Sequence, residues 1–372
     1  MTRLLLVGGG HAHLSVLEAL ERDRPAQLEV VLVTPSPFQI YSGMLPGWMA
    51  GHYDRDQCQI DLRPLAQSAG VRLISQKVVL VDAGRNLVEL ADGQSIGYDL
   101  LSLDVGSEID VSSLEKAGQR LLPVKPLDEF FTQWPRLVEV ARAKPGYRVA
   151  VIGGGAAGVE LALAARHAFN QAGLDAHVGL VVAEAGLLAG HGTKVRRRIE
   201  RFLARAGVVV HALQATGVGT GVRLSDGSLL SADRIIAATG ARAPRGIEFA
   251  GLQLDAGNYV AVDGSYRSVS HQNVFAAGDV SARQDVEVAR SGVHAVHAGP
   301  ILGSNLLAAL KGGEPRSYMP RRHSLYLLAC GPRYAVASWG RWSAEGIWVW
   351  YWKDWIDRRF VQRFARRIQA TR

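Results

Sequence analysis

Only two cysteines, Cys58 and Cys330, occur among the 372 residues. They form no CxxC or CxxxxC spacing, which argues against a structural zinc site and against an adjacent redox disulfide. No apolar run reaches the eighteen or so residues that a membrane-spanning helix requires. The chain enters a strand within three residues of Met1, without the charged stretch and cleavage site of a secretory signal, so a cytoplasmic location is expected. Acidic residues are in the minority: 34 Asp and Glu face 42 Lys and Arg, a formal net charge of +8. Such a balance favours an anionic partner, whether nucleotide phosphate, acidic lipid or nucleic acid. The remainder, 48% hydrophobic and 20% charged, is ordinary globular composition, enough for two domains and an appendage.

Residues 4–14 read LLLVGGGHAHL and lead directly into SVLEAL. An apolar run, a glycine turn and an amphipathic helical pattern are the parts of a dinucleotide-binding βαβ unit. Gly8 permits the sharp turn, and Gly10 lets a pyrophosphate approach the positive end of the helix. His13 stands where a third glycine usually allows close helix–strand packing. Residues 28–33 supply the next strand. Thr34 ends it where an acidic residue often binds a ribose, and a hydroxyl accepts fewer hydrogen bonds than a carboxylate. Residues 35–48, PSPFQIYSGMLPGW, are too irregular for a helix and too apolar for a solvated loop. They either pack around a flat aromatic ligand or form an interdomain loop.

The same order of elements recurs. YRVAVI leads into GGGAAGVELA, a complete GxGxxG at Gly153, Gly155 and Gly158, followed by a helix, a strand at 178–182, a basic helix at 193–206 and a hairpin turning at Asp226-Gly227. The first half has its own hairpin at Asp92-Gly93. This is an internal duplication of a nucleotide-binding unit. The chain then returns to NVFAAGDV, a buried strand ending in Gly278 and Asp279, before a helix at 292–310. That carboxylate suits the hydroxyls of a ribityl or ribose chain, and the helix N-terminus suits a ring that becomes anionic on reduction.

Beyond Gly346 the composition changes. Trp352, Ile356, Phe360, Phe364 and Ile368 recur every four residues, with Lys353, Arg358, Arg359, Arg363, Arg366 and Arg367 between them. This pattern describes a basic amphipathic helix with an aromatic head. It either lies on an anionic membrane surface or packs on its own protein or a second subunit. The basic stretch from Lys194 to Arg201 reads as the solvated face of a helix or as a clamp for a 2′-phosphate. The lack of alternating aromatics argues against nucleic acid.

Together, the two glycine loops, "DVGS" and "ATGA" closing the two units, and "NVFAAGDV" resemble the two-dinucleotide-binding-domain flavoproteins of the pyridine nucleotide-disulfide oxidoreductase family, over about residues 1–310. "VGGGHAHL", "YSGMLPG" and the Trp-rich basic end resemble its NADH dehydrogenase-like branch, some members of which are fused to selenophosphate synthetase. The resemblance implies an α/β fold of two Rossmann-like three-layer domains, the second inserted in the first. Residues 1–112 and 245–320 would bind FAD, residues 113–244 would bind NAD(P)H, and 321–372 would form a C-terminal region with the amphipathic helix. It implies FAD pyrophosphate at Gly8, Gly9, Gly10, His11 and Ala12, adenosine at Thr34 and Pro35, adenine beside Val78, flavin near Gly106, and the ribityl-pyrophosphate region at Gly278 and Asp279. NAD(P)H would lie on Gly153, Gly155, Gly158 and Glu160. The ribose-binding acid of the second unit falls on Val182, with Glu184 two residues late.

The implied activity takes a hydride from NAD(P)H and passes electrons to a quinone or other small acceptor. A sulfide:quinone-type reaction using Cys330 and Cys58, or a non-catalytic flavin sensor serving selenium metabolism, are the alternatives. No residue stands out as an acid or base; His294 and His297 are either flavin or acceptor contacts or structural. His11 and His13, two residues apart, face different sides of a helix and make no metal pair. The expected location is cytoplasmic, peripheral on the inner membrane through the tail, with a homodimer as a further expectation.

Overall fold

Long apolar runs ahead of each glycine turn become the central strands of two parallel sheets. A strand covered on both faces reads as continuous apolar sequence rather than alternation, and Leu4, Leu5 and Leu6 are fully buried. The computed structural model describes residues 1–365 apart from 289, 291, 321 and 322. In the first unit, β1 (Thr2–Val7), α1 (His11–Arg22) and β2 (Leu28–Thr34) form the expected βαβ start. Strands β3 (Arg72–Ser75) and β4 (Leu100–Leu103) join the same sheet.

In the second unit, β5 (Leu121–Pro123), α2 (Leu127–Ala143), β6 (Tyr147–Ile152), α3 (Ala156–Gln171), β7 (Ala176–Val181), α4 (Thr193–Ala206), β8 (Val209–His211) and β9 (Arg234–Ala237) follow. The chain then returns through β10 (Val274–Ala276) and α5 (Gly292–Leu310). The two sheets run β10-β4-β1-β2-β3 and β5-β9-β6-β7-β8, parallel throughout. They share one plan, with the glycine loop after the central strand. The strand completing the first sheet lies beyond the second in sequence, so the second sheet is inserted into the first.

Helix α5 is long and apolar enough to cross a membrane by length and composition, contrary to the sequence expectation. It packs instead as a core helix, with Leu302 and Leu306 buried. Gly299 and Gly303 bring it against α1: a Cβ at Gly299 would lie 2.8 Å from Ser15 Oγ, and one at Gly303 would lie 3.1 Å from Ala19 Cβ. Small residues four apart let two backbones approach closely.

The C-terminal region departs furthest from expectation. An antiparallel meander of β11 (Leu325–Ala329), β12 (Ala335–Trp339) and β13 (Trp342–Gly346), which no sequence signal announced, precedes α6 (Ile347–Ala365). Helix α6 buries Val349, Trp350, Lys353, Asp357, Val361 and Phe364. The four-residue stripe therefore does not define one face. Four residues advance a helix by about 400°, so such a stripe drifts about 40° at each step. Accordingly Trp352, Ile356 and Phe360 are half-buried and Phe364 is buried, whereas Lys353, placed among the polar positions, lies inside. Arg366, Arg367 and Ile368 lie outside the described residues.

Candidate functional site

The first glycine loop is built as its sequence requires. Gly8 has φ +96°, and a Cβ there would lie 2.3 Å from the carbonyl oxygen of Asp104. Its N–H donates to Val33 O at 2.8 Å, as Gly153 N–H donates to Val181 O at 2.9 Å in the second unit. Gly9 sits against Thr34, whose Oγ1 would be 3.2 Å from a Cβ there. Gly10 is the N-cap of α1, and it faces the Asp104 carboxylate. Gly278 meets the same carboxylate, its hypothetical Cβ 2.7 Å from Asp104 Oδ1. Gly106 has open space where a Cβ would point. Asp279 accepts from Lys125 Nζ at 2.9 Å and from Ser107 Oγ at 3.1 Å. A cavity of about 530 Å³ adjoins Gly278 and Asp279 on the side away from the glycine loop's own residues, lined also by Tyr266, Arg283, His294 and Ala295.

Gly10, Asp104 and Gly278, from distant parts of the chain, meet at the N-terminus of α1. Ala12 and Thr34 are buried beside the loop, Pro35 is exposed, and Val78 is buried at the start of the strand Val78–Asp82 in a separate four-stranded sheet. His11 Nε2 is buried without a hydrogen-bond partner. Burial, outweighing the attraction of Asp279, brings the His11 pKa down to about 4, so the ring is neutral at pH 7. A side-chain-free glycine turn at a helix N-terminus and an orphaned imidazole nitrogen are features that suit a dinucleotide carrier.

His13 does not obstruct this cradle. Its Nδ1–H donates to Gly8 O at 2.6 Å, and Nε2 accepts from Ser102 Oγ at 2.8 Å. The ring is thereby turned into the interface between α1 and β4. Burial lowers its pKa to about 4, so the ring is neutral, and Gly8 O, which can only accept, places the proton on Nδ1. In the second unit the third glycine is present, and a Cβ at Gly158 would lie 1.9 Å from Gly153 O. Gly155 there faces open space.

The acids assigned to the second nucleotide lie apart from one another. Glu184 is exposed in the loop after β7, while Val182 is buried beneath Gly154. Glu160 accepts from the backbone N–H of Ala329 at 2.8 Å, tying α3 to the C-terminal sheet. Burial pushes its pKa up to about 7, against the pull of Lys353.

The tail is fastened to the first unit by a cluster that no sequence pattern identified. Lys353 Nζ donates to Asp357 Oδ2 and to Gly43 O, both at 2.7 Å, and Tyr41 Oη donates to Asp357 Oδ1 at 3.2 Å. Burial works against the Lys353 ammonium, but Asp357 and Glu160 outweigh it and hold its pKa above the usual lysine range. The Tyr41 ring stacks on Phe360 with centroids 4.6 Å apart and meets His11 edge-on at 5.6 Å. Arg363 pairs with Glu18 of α1. Trp48 stacks on Phe131 at 3.9 Å. The later part of the irregular 35–48 stretch, from Ile40 into the short helix Leu45–Met49, is thus covered by protein, while Pro35 and Phe38 stay exposed. Polar residues at a helix surface ordinarily face water, and only the positions of Tyr41 and Gly43 in space reveal this inward pair.

Both cysteines are free and buried. Burial drives the Cys58 thiol up to about 12 and the Cys330 thiol well above its ordinary value. His294 lines the cavity, where burial and the nearby His297 lower its pKa. The exposed side of the C-terminal region carries Trp339, Trp342, Ile347, Trp348, Tyr351 and Trp355, all at least 46% exposed. On the basic face of α4, Lys194, Arg197 and Arg201 are exposed and Arg196 and Arg198 half-buried, with Arg198 and Arg201 both meeting Glu345 of β13.

Comparisons with known proteins agree with this geometry. Among curated proteins, an NADH dehydrogenase-like protein of Mycobacterium tuberculosis is 30% identical over 310 residues, covering 77% of this chain and 75% of the relative. A "Probable ferredoxin reductase" of Castellaniella defragrans is 28% identical over 298 residues, covering 76% and 68%. Among solved structures, the sulfide:quinone oxidoreductase of Aquifex aeolicus superposes with a TM-score of 0.82 at 17% identity, over 99% of this chain and 92% of that one. NDH2 from Plasmodium falciparum in complex with NADH gives 0.80 at 13% identity, over 98% and 99%. At such identities these two structures share the fold. The family model described as pyridine nucleotide-disulphide oxidoreductase matches residues 2–299, and the chain belongs to that family.

Proposed function

We propose that this chain is an FAD-dependent oxidoreductase that takes a hydride from NAD(P)H and passes electrons to a quinone-like acceptor. The observation that carries the reading is the doubled sheet plan, in which each central strand delivers a glycine loop to a helix N-terminus. Residues 1–112 and 245–320 form the FAD-binding domain in this reading, residues 113–244 the NAD(P)H-binding domain, and 321–372 the C-terminal region. FAD when bound supplies a redox centre able to exchange electrons singly or in pairs. The chain supplies position, dryness and charge. Gly8, Gly9, Gly10, His11 and Ala12 hold the pyrophosphate, Thr34, Pro35 and Val78 flank the adenosine, and Gly106, Gly278 and Asp279 hold the remainder. Lys125, fixed by Asp279 and Ser107, places a cation beside this site. Gly153, Gly155 and Gly158 hold the nicotinamide nucleotide, with Glu184 the nearer candidate for its ribose than Glu160, which is engaged by Ala329.

The test is direct. The purified full chain is expected to release FAD on denaturation and to oxidise NADH or NADPH with a panel of quinones. Absence of flavin, or turnover with no quinone, would refute the reading. A sulfide-oxidising reaction needs an accessible thiolate, and the burial of both thiols opposes it; Cys58→Ser and Cys330→Ser are expected to leave turnover unchanged.

The same proposal places the protein on the surface of an anionic membrane. The exposed Trp348, Tyr351 and Trp355 with the neighbouring Trp339 and Trp342 form an aromatic edge next to the basic Arg359, the composition that seats at head-group depth. Replacing Trp348, Tyr351 and Trp355 together by serine is expected to release the protein from vesicles containing anionic lipid. Unchanged vesicle binding would reject this assignment, and a change from dimer to monomer in the same variant would assign the edge to a homodimer instead. A narrower kinship with proteins fused to selenophosphate synthetase rests on "VGGGHAHL" and "YSGMLPG". Co-purification with such an enzyme from the native cell would support it.

A further inference from the structure

The two glycine units share a plan but differ at two matching places, and in the folded chain those two places touch. His13 stands where the second unit has Gly158, and Asp104 stands where it has Ala238: the hypothetical Cβ of Gly8 abuts Asp104 O at 2.3 Å, and that of Gly153 abuts Ala238 O at 2.1 Å. In the first unit the backbone N–H of His13 donates to Asp104 Oδ2 at 2.9 Å. The Asp104 side chain therefore lies at the N-terminus of α1, where the second unit has only a methyl group. Asp104 is 3% exposed. Its other oxygen, Oδ1, lies 2.7 Å from where a Cβ of Gly278 would stand and 2.4 Å from where a Cβ of Gly10 would stand. It therefore packs against Gly10, assigned to the pyrophosphate, and Gly278, assigned to the ribityl-pyrophosphate region.

We propose that Asp104 is held as a neutral acid in the flavin-loaded protein, its Oδ1–H donating to a phosphate oxygen of FAD, so that binding FAD takes up a proton. This rests on the reading that the first unit holds FAD. A carboxylate and a phosphate brought to the same buried helix N-terminus repel strongly, and protonation of the carboxylate relieves the repulsion. Both oxygens lie against Gly10, but with Oδ2 accepting from His13 the proton belongs on Oδ1, the oxygen nearer Gly278. The surroundings leave it little alternative. From α1, His11 and His13 are neutral; from β4, Ser102 is occupied by His13; Asp279 adds negative charge, and Lys125 is spent on Asp279 and Ser107. Burial raises the Asp104 pKa to about 7, helped by Asp279 and opposed by the N–H groups of His13 and Ala12. A neighbouring phosphate raises it further.

The full chain, reversibly stripped of FAD, is titrated with FAD from about pH 6 to about pH 9. The dissociation constant is expected to rise towards tenfold per pH unit above about pH 7, with a proton taken up in calorimetry across buffers of different ionisation enthalpy. Asp104→Asn, which keeps an acceptor for His13 and a donor for phosphate, is expected to bind FAD with near-wild-type affinity at about pH 6 and to lose the pH dependence. In the wild-type holoenzyme at about pH 8, infrared spectroscopy is expected to show a protonated-carboxyl C=O stretch that the variant lacks. Where the variant fails to fold, the wild-type profile and spectrum decide. Tight binding that is flat in pH, without that stretch, overturns the role of Asp104 and leaves the first-site reading standing. No FAD binding at any pH overturns both.

Discussion

Replacing Lys353 by methionine isolates the contact that fastens the tail to the first unit. The ammonium is nearly inaccessible, with side-chain exposures of 11% for Lys353 and 6% for Asp357, so the variant leaves a buried carboxylate with only Tyr41 as a donor. Removing one partner of a buried pair costs about 3–5 kcal/mol. The neighbouring Glu160, also deprived of its cation, places the expected loss in the upper half of that range at neutral pH. The double variant Lys353→Met with Asp357→Leu removes both charges; the Gly43 carbonyl loses its donor in both variants, and the Tyr41 hydroxyl, newly short of its partner in the double one, costs about 1–2 kcal/mol. Urea unfolding followed by tryptophan fluorescence suits the test, because six of the eight tryptophans lie between 339 and 355. A single variant within about 1 kcal/mol of wild type, or a double variant no more stable than the single, would refute the buried-pair account.

Three further outcomes follow from the same geometry. Gly155→Val fills space that is open in the folded chain, so it should raise the KM for the nicotinamide nucleotide tenfold or more, about 1.4 kcal/mol, with unfolding unchanged; an unaltered KM would move the nucleotide off this loop. Gly158→Ala, whose Cβ would lie 1.9 Å from Gly153 O, should destabilise by about 2 kcal/mol or more in the same assay. Glu160 has a folded pKa of about 7 against an ordinary 4.5, so the native state binds more protons than the unfolded state between those values, and its contribution falls as pH rises through them. Glu160→Gln should remove on the order of 2–3 kcal/mol of that decline in urea stability between about pH 4.5 and pH 7, and an unchanged slope would count against the burial of this acid.

Both sheets and both loops were legible because a buried parallel strand, a glycine turn and a helix leave a local signature, and because the signature occurs twice. The helices Thr193–Ala206 and Gly292–Leu310 stand where the sequence pattern puts them. The C-terminal meander escaped notice because strands such as Leu325–Ala329 and Trp342–Gly346 are short and carry no clean alternation. The inward turn of Lys353 and Asp357 was hidden for a different reason. Their partners, Gly43 and Tyr41, are more than 300 residues away in sequence, and no local pattern marks a buried charge. His13 and Asp104 were individually visible, His13 as a break in the glycine motif, but their contact spans 91 residues and is a property of the folded sheet.

The account stands or falls on two adenine cofactors meeting in one chain. An anaerobic titration of the purified protein with NADH and then with NADPH measures this most directly. The prediction is a flavin absorbance spectrum that one of the two nucleotides bleaches to completion at about one equivalent per flavin. A flavin spectrum that neither nucleotide changes would contradict it.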